Sequence, residues 1–415
     1  MIVKMKHKDT LDEVISLVNN STNGYYLAGD VRDLLVSKKL NMTFVAKNLS
    51  YIVENVSSNK FARLMNFISM EEEVSNSMLQ NISAFLDRFK KRDISDKDVE
   101  IFFEAFKCLP NSDKYLKSNL GKIIDSVSAG ILFELSPELK KLKKLSIRFA
   151  KKIDDKINQN QDEVCKHILI KSLRKGTQNT NISLKDINDY SLTLQILLRE
   201  LLNSEHKRFS DMRKVGAGVY SNVYQIGTKI IKVGAPRQTH KIPNHRRILQ
   251  PIARKELTNE IDIPIGSIEV TDEVDTSKET LSKITEEDLY KIYKELRVDG
   301  IVWGDPKIDN LGVLKRENKP TLKGKDFYVA PNSVGFRSEI FPKPLQRGDF
   351  VITDLDYLYY ENDKDKKVNK NSYVLKFERR YRSEAEQEIK MKENMRQKEV
   401  DTIKLKDEEN RQDDR

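Results

Sequence analysis

The sequence Gly300-Ile301-Val302-Trp303-Gly304-Asp305-Pro306-Lys307-Ile308-Asp309-Asn310-Leu311-Gly312-Val313 places a short polar loop between two apolar runs. In that loop Asp305, Lys307 and Asn310 supply a carboxylate, an ammonium group and an amide. A carboxylate can accept a hydroxyl proton, an ammonium group can offset the charge of a transferring phosphoryl group, and an amide oxygen can bind Mg²⁺. This loop follows an amphipathic stretch at 289–296 that predicts a helix, and it is the strongest candidate for chemistry in the chain.

An upstream segment, Gly216-Ala217-Gly218-Val219-Tyr220-Ser221-Asn222-Val223-Tyr224, has glycines that let backbone amides approach phosphate oxygens. Taken alone, the same pattern is typical of a hairpin turn. The apolar runs 222–226 and 229–233, joined by Gly227-Thr228, predict a β-hairpin. Alternation along the second run places Lys232 on the face opposite Ile231 and Val233. There the lysine would meet either an anion such as phosphate or, on an edge strand, solvent.

A downstream segment, Phe350-Val351-Ile352-Thr353-Asp354-Leu355-Asp356, predicts a strand that ends in carboxylates, the first of them Asp354. Mg²⁺ prefers hard oxygen ligands, usually one or two carboxylates together with substrate phosphates. In isolation the segment is also typical of any strand that ends in an acidic turn.

Taken in chain order, these segments resemble the protein-kinase-like fold over residues 209–360. The matches to its glycine-rich loop and to the valine after it are Gly216, Gly218, Ser221 and Val223, with serine in place of the third glycine. Lys232 matches the third-strand lysine of that fold, and Asp305 matches its catalytic aspartate. Asn310 and Asp354 match its metal-binding asparagine and aspartate.

The resemblance implies a phosphotransferase that uses ATP and Mg²⁺. It implies that Asp305 orients and deprotonates an acceptor hydroxyl while Lys307 stabilises the transferring group. A strand predicted over 263–271 would lead into the hinge of that fold, where backbone groups of Glu269 and Thr271 would bind the adenine.

Departures from the family pattern leave the acceptor open. Trp303-Gly304-Asp305 replaces the usual His-Arg-Asp, and Gly304-Asp305-Pro306 is similar to aminoglycoside- and choline-type phosphotransferases. Lys307 is instead similar to Ser/Thr protein kinases, which favours a protein hydroxyl over a small-molecule hydroxyl. The long stretch between Asn310 and Asp354 includes 327–331 and 341–344, an insertion that would shape a substrate site.

The helix glutamate that pairs with the third-strand lysine in protein kinases has no obvious counterpart. No Asp or Glu occurs between Lys232 and Lys255, a basic stretch that would bind phosphates or an acidic partner, or stay solvated. The run 247–252 predicts the fourth strand, so Glu256 and Glu260 would lie in the turn after it, and Glu200 is a further candidate. This gap favours the alternative of a pseudokinase that binds nucleotide or acts as a scaffold.

The rest of the chain divides into two further regions around a kinase-like domain at 206–375. Residues 1–205 predict an all-helical domain that would dock a protein partner or substrate, with caps at Ser95 and Ser183 and an apolar stripe at Leu142, Leu145, Phe149 and Ile153. Residues 376–415 are rich in charge and predict a helix or tail. The fold class is therefore α+β, with a bilobal kinase-like domain whose C-terminal lobe is truncated.

Composition restricts the remaining possibilities. The 415 residues carry a net charge of +10, but basic and acidic residues interleave, so nucleic-acid binding is not favoured. The two cysteines, Cys108 and Cys165, exclude a disulfide scaffold and predict packed thiols. Without a signal peptide or a membrane-spanning run, a cytoplasmic location is expected, and secretion without an N-terminal signal stays open. The oligomeric state is not predicted.

Overall fold

A computed structural model describes residues 2–21, 24–142, 145–173, 182–218, 221–235, 243, 245–249, 251–259, 263–315, 348–354, 358–361 and 372–413. The fold is α+β, with a helical N-terminal region followed by a region of mostly antiparallel strands. The chain divides into two compact units, Met1–Gly227 and Thr228–Arg415. No helix among these described ranges is both long enough and apolar enough to cross a membrane.

The first unit consists mainly of helices. They are α1 (Ile2–Asn20), α2 (Gly24–Ser37), α3 (Met42–Lys47), α4 (Leu49–Asn55), α5 (Phe61–Met70), α6 (Glu72–Lys90), α7 (Asp96–Lys107), α8 (Ser112–Ser118), α9 (Leu120–Ser126), α10 (Ala129–Lys141), α11 (Ile147–Gln159), α12 (Gln161–Leu173) and α13 (Leu184–Ser204). Two strands follow them, β1 (Arg213–Ala217) and β2 (Ser221–Ile226). The predicted helical character of this region is confirmed.

Side-chain caps define where several of these helices begin. Ser95 accepts a hydrogen bond from the backbone of Asp98 at the start of α7, and Ser183 forms a capping box with Asp186 at the start of α13. The stripe predicted from Leu142 to Ile153 is wrong as one helix. Helix α10 ends at Lys141 with Leu142 as its C-cap, and Ser146 caps the separate helix α11.

The first unit buries its apolar stripes in a core rich in phenylalanine. Phe85 stacks on Phe102 with ring centroids 4.6 Å apart, and Phe61 and Phe89 meet these rings edge to face. Cys165 is buried in α12 while Cys108 is exposed, so the prediction of packed thiols holds only for Cys165.

Strands β1 and β2 pair antiparallel and pack against helices of the same unit. The Asn222 side chain donates to Ser172 Oγ of α12 at 3.1 Å, and the rings of Tyr224 and Phe133 lie 6.2 Å apart. After β2 the chain turns at Gly227-Thr228, where Gly227 has a φ of +53°, a left-handed conformation that favours glycine. The two strands predicted over 222–226 and 229–233, on either side of this turn, are confirmed.

A buried ion cluster links three helices of the first unit. His167 of α12 is 5% exposed, and its Nε2 lies 3.3 Å from Glu100 and 3.8 Å from Glu134, while its Nδ1 lies 3.9 Å from Asp96. Lys171 lies 2.9 Å from Glu100. Burial alone would lower the pKa of His167, but the three carboxylates outweigh it and raise that pKa above its usual value of 6.5.

We expect this cluster to make stability depend on pH. Because the folded-state pKa of His167 is raised, its stabilising contribution is complete below about pH 6.5 and disappears as pH rises through the raised value. Burial opposes ionisation of Glu134, but His167 and nearby lysines lower its pKa to about 2, so its contribution disappears as pH falls from 4.5 towards 2. The melting temperature should therefore fall from pH 6 to pH 9 less steeply in His167→Asn than in the wild type. Parallel slopes in thermal melts would contradict this assignment.

The second unit contains eight strands and three helices among its described residues. They are β3 (Lys229–Gly234), β4 (Ala253–Thr258), β5 (Pro264–Asp272), β6 (Val274–Asp275), α14 (Lys278–Leu281), α15 (Glu286–Val298), β7 (Ile301–Trp303), β8 (Leu311–Leu314), β9 (Phe350–Ile352), β10 (Leu358–Tyr360) and α16 (Ser372–Asp413). Strand β5 pairs antiparallel with both β3 and β4. Strand β8 pairs with β6 and β9, and β7 pairs with β10.

The predicted position of the fourth strand is wrong. Strand β4 begins at Ala253, after Pro251, because proline cannot donate to the ladder. Arg247 and Leu249, which precede β4, instead form backbone hydrogen bonds with Ile352 at the end of β9. The Leu249 amide donates to Ile352 O at 2.9 Å, and the Ile352 amide donates to Arg247 O at 2.7 Å. As a result Glu256 lies within β4, not in the turn after it.

The core of the second unit surrounds Trp303, which is 1% exposed at the end of β7. Tyr290 and Tyr293 of α15 pack beside it, together with Phe377 from the first turns of α16. Residues 376–415 are predicted as a charged helix or tail, and α16 makes them helical as far as Asp413. The first turns of this helix lie in the apolar core of the unit.

Candidate active site

The polar loop 305–307 starts at the buried end of β7. Gly300 adopts a φ of +69° between α15 and β7, a conformation that favours glycine and reverses the chain into the strand. Pairing with β10 holds β7, and burial of Trp303 anchors its end. The loop then passes through a short 3-10 helix, Ile308–Asn310, into β8. A rigid strand therefore presents Asp305 at the surface of the core.

The structure brings the side chains of Lys307 and Asn310, which the sequence places on the same loop as Asp305, into contact with that residue. Lys307 Nζ lies 2.9 Å from Asp305 Oδ1, and the Asn310 side-chain amide donates to Asp305 O at 2.9 Å and to Asp305 Oδ2 at 3.1 Å. The Asp305 side chain is 14% exposed whereas that of Lys307 is 53% exposed. The Asp305 carboxylate therefore accepts hydrogen bonds from both side chains and is still partly exposed to solvent.

Thr353 connects this loop with Lys232, a role that the sequence pattern does not assign to it. Its amide donates to Asn310 O at 2.8 Å and its hydroxyl donates to the same oxygen at 3.1 Å. Its own carbonyl accepts a 2.9 Å hydrogen bond from Lys232 Nζ. Asp354 is the next residue, so segments far apart in sequence meet at one place in the second unit. The only signal for Thr353 was its position before the predicted metal ligand.

Gly312 in β8 lets the side chains of Val274 and Thr353 lie close to the β8 backbone. A Cβ at this position would lie 2.5 Å from Val274 Cγ2 and 3.1 Å from Thr353 Cγ2.

We expect Gly312→Ala to force β6 and β9 apart and to cost about 1–3 kcal/mol of unfolding free energy, as overpacked cores do. Urea denaturation would measure the loss. As a control, Gly300→Ala introduces no contact within 4 Å and strains only the backbone. Equal urea midpoints for Gly312→Ala and the wild type would contradict the prediction.

Lys232 occupies the face of β3 that alternation predicted. Ile231 and Val233 are 1% and 0% exposed on the opposite face, whereas Lys232 is half-buried. A lysine in such a strand needs nearby anions or carbonyl groups, and the Thr353 carbonyl is one.

The structure changes the interpretation of Glu269 and Thr271. Both lie inside β5, where Glu269 is paired with Lys232 on one side and with Arg254 on the other. The Glu269 backbone therefore lies in ladders on both sides and is not open to an adenine, which is a correction of the predicted role. Thr271 is opposite Ile230 and is 2% exposed.

The glycine-rich segment falls in the β1–β2 hairpin of the first unit, with residues 219–220 outside the described residues. Gly216 is opposite Val223, and the Gly218 amide donates to Ser221 O at 2.8 Å. The register shifts between Lys214 and Gly216, which is a bulge before the loop. Its hairpin geometry agrees with both interpretations of the sequence, a turn and a phosphate-binding loop.

Several predicted features cannot be placed in the second unit. The insertion segments 327–331 and 341–344, together with Leu355, Asp356 and Glu260, lie outside the described residues. Glu200 lies in α13 of the first unit. Of the residues between β3 and β4 that the structure describes, none is helical.

The donor set at Asn310 and Asp354 fits Mg²⁺ bound with a nucleotide. The amide nitrogen of Asn310 faces Asp305, which leaves the amide oxygen as the atom to bind a cation. One carboxylate and one amide oxygen are few ligands for a bare ion but suit an ion that also binds phosphates. The described residues contain no cluster of three or more His, Cys, Asp or Glu side chains that could hold a metal ion.

Comparisons of the chain with protein-family models and with curated proteins find no match.

Proposed function

We propose that the protein is an ATP- and Mg²⁺-dependent phosphotransferase with a kinase-like fold. The observation that carries the proposal is the chain of hydrogen bonds from Lys232 through Thr353 and Asn310 to Asp305. It joins a strand lysine, a candidate metal site and a candidate base, which phosphoryl transfer requires together. The antiparallel pairing of β3 with β5 and of β5 with β4 also supports a kinase-like fold.

Each residue has a chemical task in this proposal. Asp305 accepts the acceptor hydroxyl proton as the oxygen attacks the γ-phosphorus, and the bond from that phosphorus to the β–γ bridging oxygen breaks. Lys307 offsets charge on the transferring group, and Lys232 binds the α- and β-phosphates. Asn310 and Asp354 would hold Mg²⁺, which neutralises the phosphate charge when bound. Binding of phosphate oxygens to the 216–221 loop is part of the proposal.

The acceptor we favour is a serine or threonine hydroxyl of a protein. Lys307 supports this choice because its ammonium group lies 2.9 Å from Asp305, where the acceptor hydroxyl must approach. A protein substrate or partner docked on the helical region is part of the same proposal. The alternative of a small-molecule hydroxyl rests on the sequence Gly304-Asp305-Pro306.

The test is transfer of labelled γ-phosphate from ATP, with and without Mg²⁺, to the protein itself, to a basic protein and to a panel of hydroxyl metabolites. We expect Mg²⁺-dependent labelling of protein, lost in Asp354→Asn. Label only on a metabolite would select the small-molecule alternative. ATP binding that needs Lys232 without any transfer would select the pseudokinase, and absence of both binding and transfer would overturn the proposal.

A further inference from the structure

A row of charged side chains crosses strands β3, β5 and β4. Lys232 lies directly opposite Glu269, and Glu269 lies directly opposite Arg254. Opposed residues of antiparallel strands project from the same face, with Cβ atoms about 4.5–5.5 Å apart. The glutamate therefore stands between two cations on the face that carries Lys232.

Glu269 is too deeply buried for solvent to stabilise its charge. It is 2% exposed, and both of its carboxylate oxygens are buried. Burial of an ionised carboxylate is costly unless a cation compensates it. Of the two cations in the row, Lys232 is the one whose ammonium group also reaches the candidate site, through the 2.9 Å hydrogen bond to Thr353 O.

We propose that Glu269 is the positioning residue for Lys232, holding its ammonium group where the nucleotide phosphates would bind. This inference rests on the proposed phosphotransferase function. It assigns to a residue of a neighbouring strand the task that a helix glutamate performs in protein kinases, for which the sequence shows no obvious counterpart. Because strand register sets the pair, the lysine is positioned without any movement of a helix.

The pair itself is tested in the nucleotide-free protein by melting temperatures. Lys232→Met leaves the buried charge of Glu269 without this counterpart and Glu269→Gln leaves the half-buried charge of Lys232 without it, so each should lower the melting temperature. The double variant should melt no lower than the worse single variant, whereas Arg254→Met and Glu269→Gln should lower it additively. Additive effects of Lys232→Met and Glu269→Gln, or coupling to Arg254 alone, would overturn the proposal.

The positioning role is tested by calorimetric titration with MgATP. We expect Glu269→Gln to weaken binding about tenfold, equivalent to about 1.4 kcal/mol. Glu269→Asp, which keeps the charge, should recover part of the affinity, and Arg254→Met should bind as the wild type does. Unchanged affinity in a folded Glu269→Gln protein would overturn the role. If the wild type binds no MgATP, the phosphotransferase proposal fails, while a non-additive melting cycle still supports the pairing of Glu269 with Lys232.

Discussion

Replacement of Asp305 by alanine should reduce phosphoryl transfer by about 10²–10⁴-fold, the usual contribution of a general base. The carboxylate follows the end of buried β7 and accepts hydrogen bonds from Lys307 and Asn310, which orient it. Without it the acceptor hydroxyl loses its proton acceptor, but Lys232 and the candidate metal ligands are retained. MgATP affinity should therefore change little while the transfer rate collapses.

Asp309 offers a matched control for this experiment. It lies in the same segment and is exposed, and its replacement by alanine removes the same charge. We expect Asp309→Ala to transfer phosphate at the wild-type rate. Steady-state labelling and calorimetric MgATP titration of the three proteins would separate catalysis from binding. An Asp305→Ala protein as fast as the wild type would remove Asp305 from the mechanism.

Replacement of Lys229 by methionine should cost about 3–5 kcal/mol of unfolding free energy, because it leaves Asp272 as an uncompensated buried charge. Lys229 and Asp272 lie directly opposite each other on β3 and β5 and form an ion pair whose side chains are 1% and 2% exposed. This pair lies on the face of β3 that also carries Ile231 and Val233, away from Lys232.

The double variant Lys229→Met with Asp272→Leu separates charge from packing. Apolar side chains of similar volume often replace a buried ion pair at no cost, so the double variant should regain most of the lost stability. Chemical denaturation of the two variants and the wild type provides the comparison. A double variant less stable than Lys229→Met would show that the ion pair is not the cause.

Local sequence patterns were sufficient for much of the fold. Caps at Ser95 and Ser183 and the turn at Gly227-Thr228 are formed by neighbouring residues, so their signals could be read directly. The contacts that Asp305 makes with Lys307 and Asn310 are also local, since they span at most five residues. Where the pattern depended on distant partners it failed, as it did for the fourth strand, whose preceding residues bond to Ile352.

The order of residue types establishes which chemical groups are available: a carboxylate, an ammonium group and an amide on one loop, a lysine in one strand and a carboxylate after another strand. That the Thr353 carbonyl accepts a hydrogen bond from Lys232, and that Glu269 lies opposite this lysine, follows only from the folded chain. Strand register is the cause of the second contact. If the pairing of β5 with its neighbours shifted by one residue, Glu269 would lie on the other face of the sheet. No local sequence pattern determines which residues of two paired strands lie opposite each other.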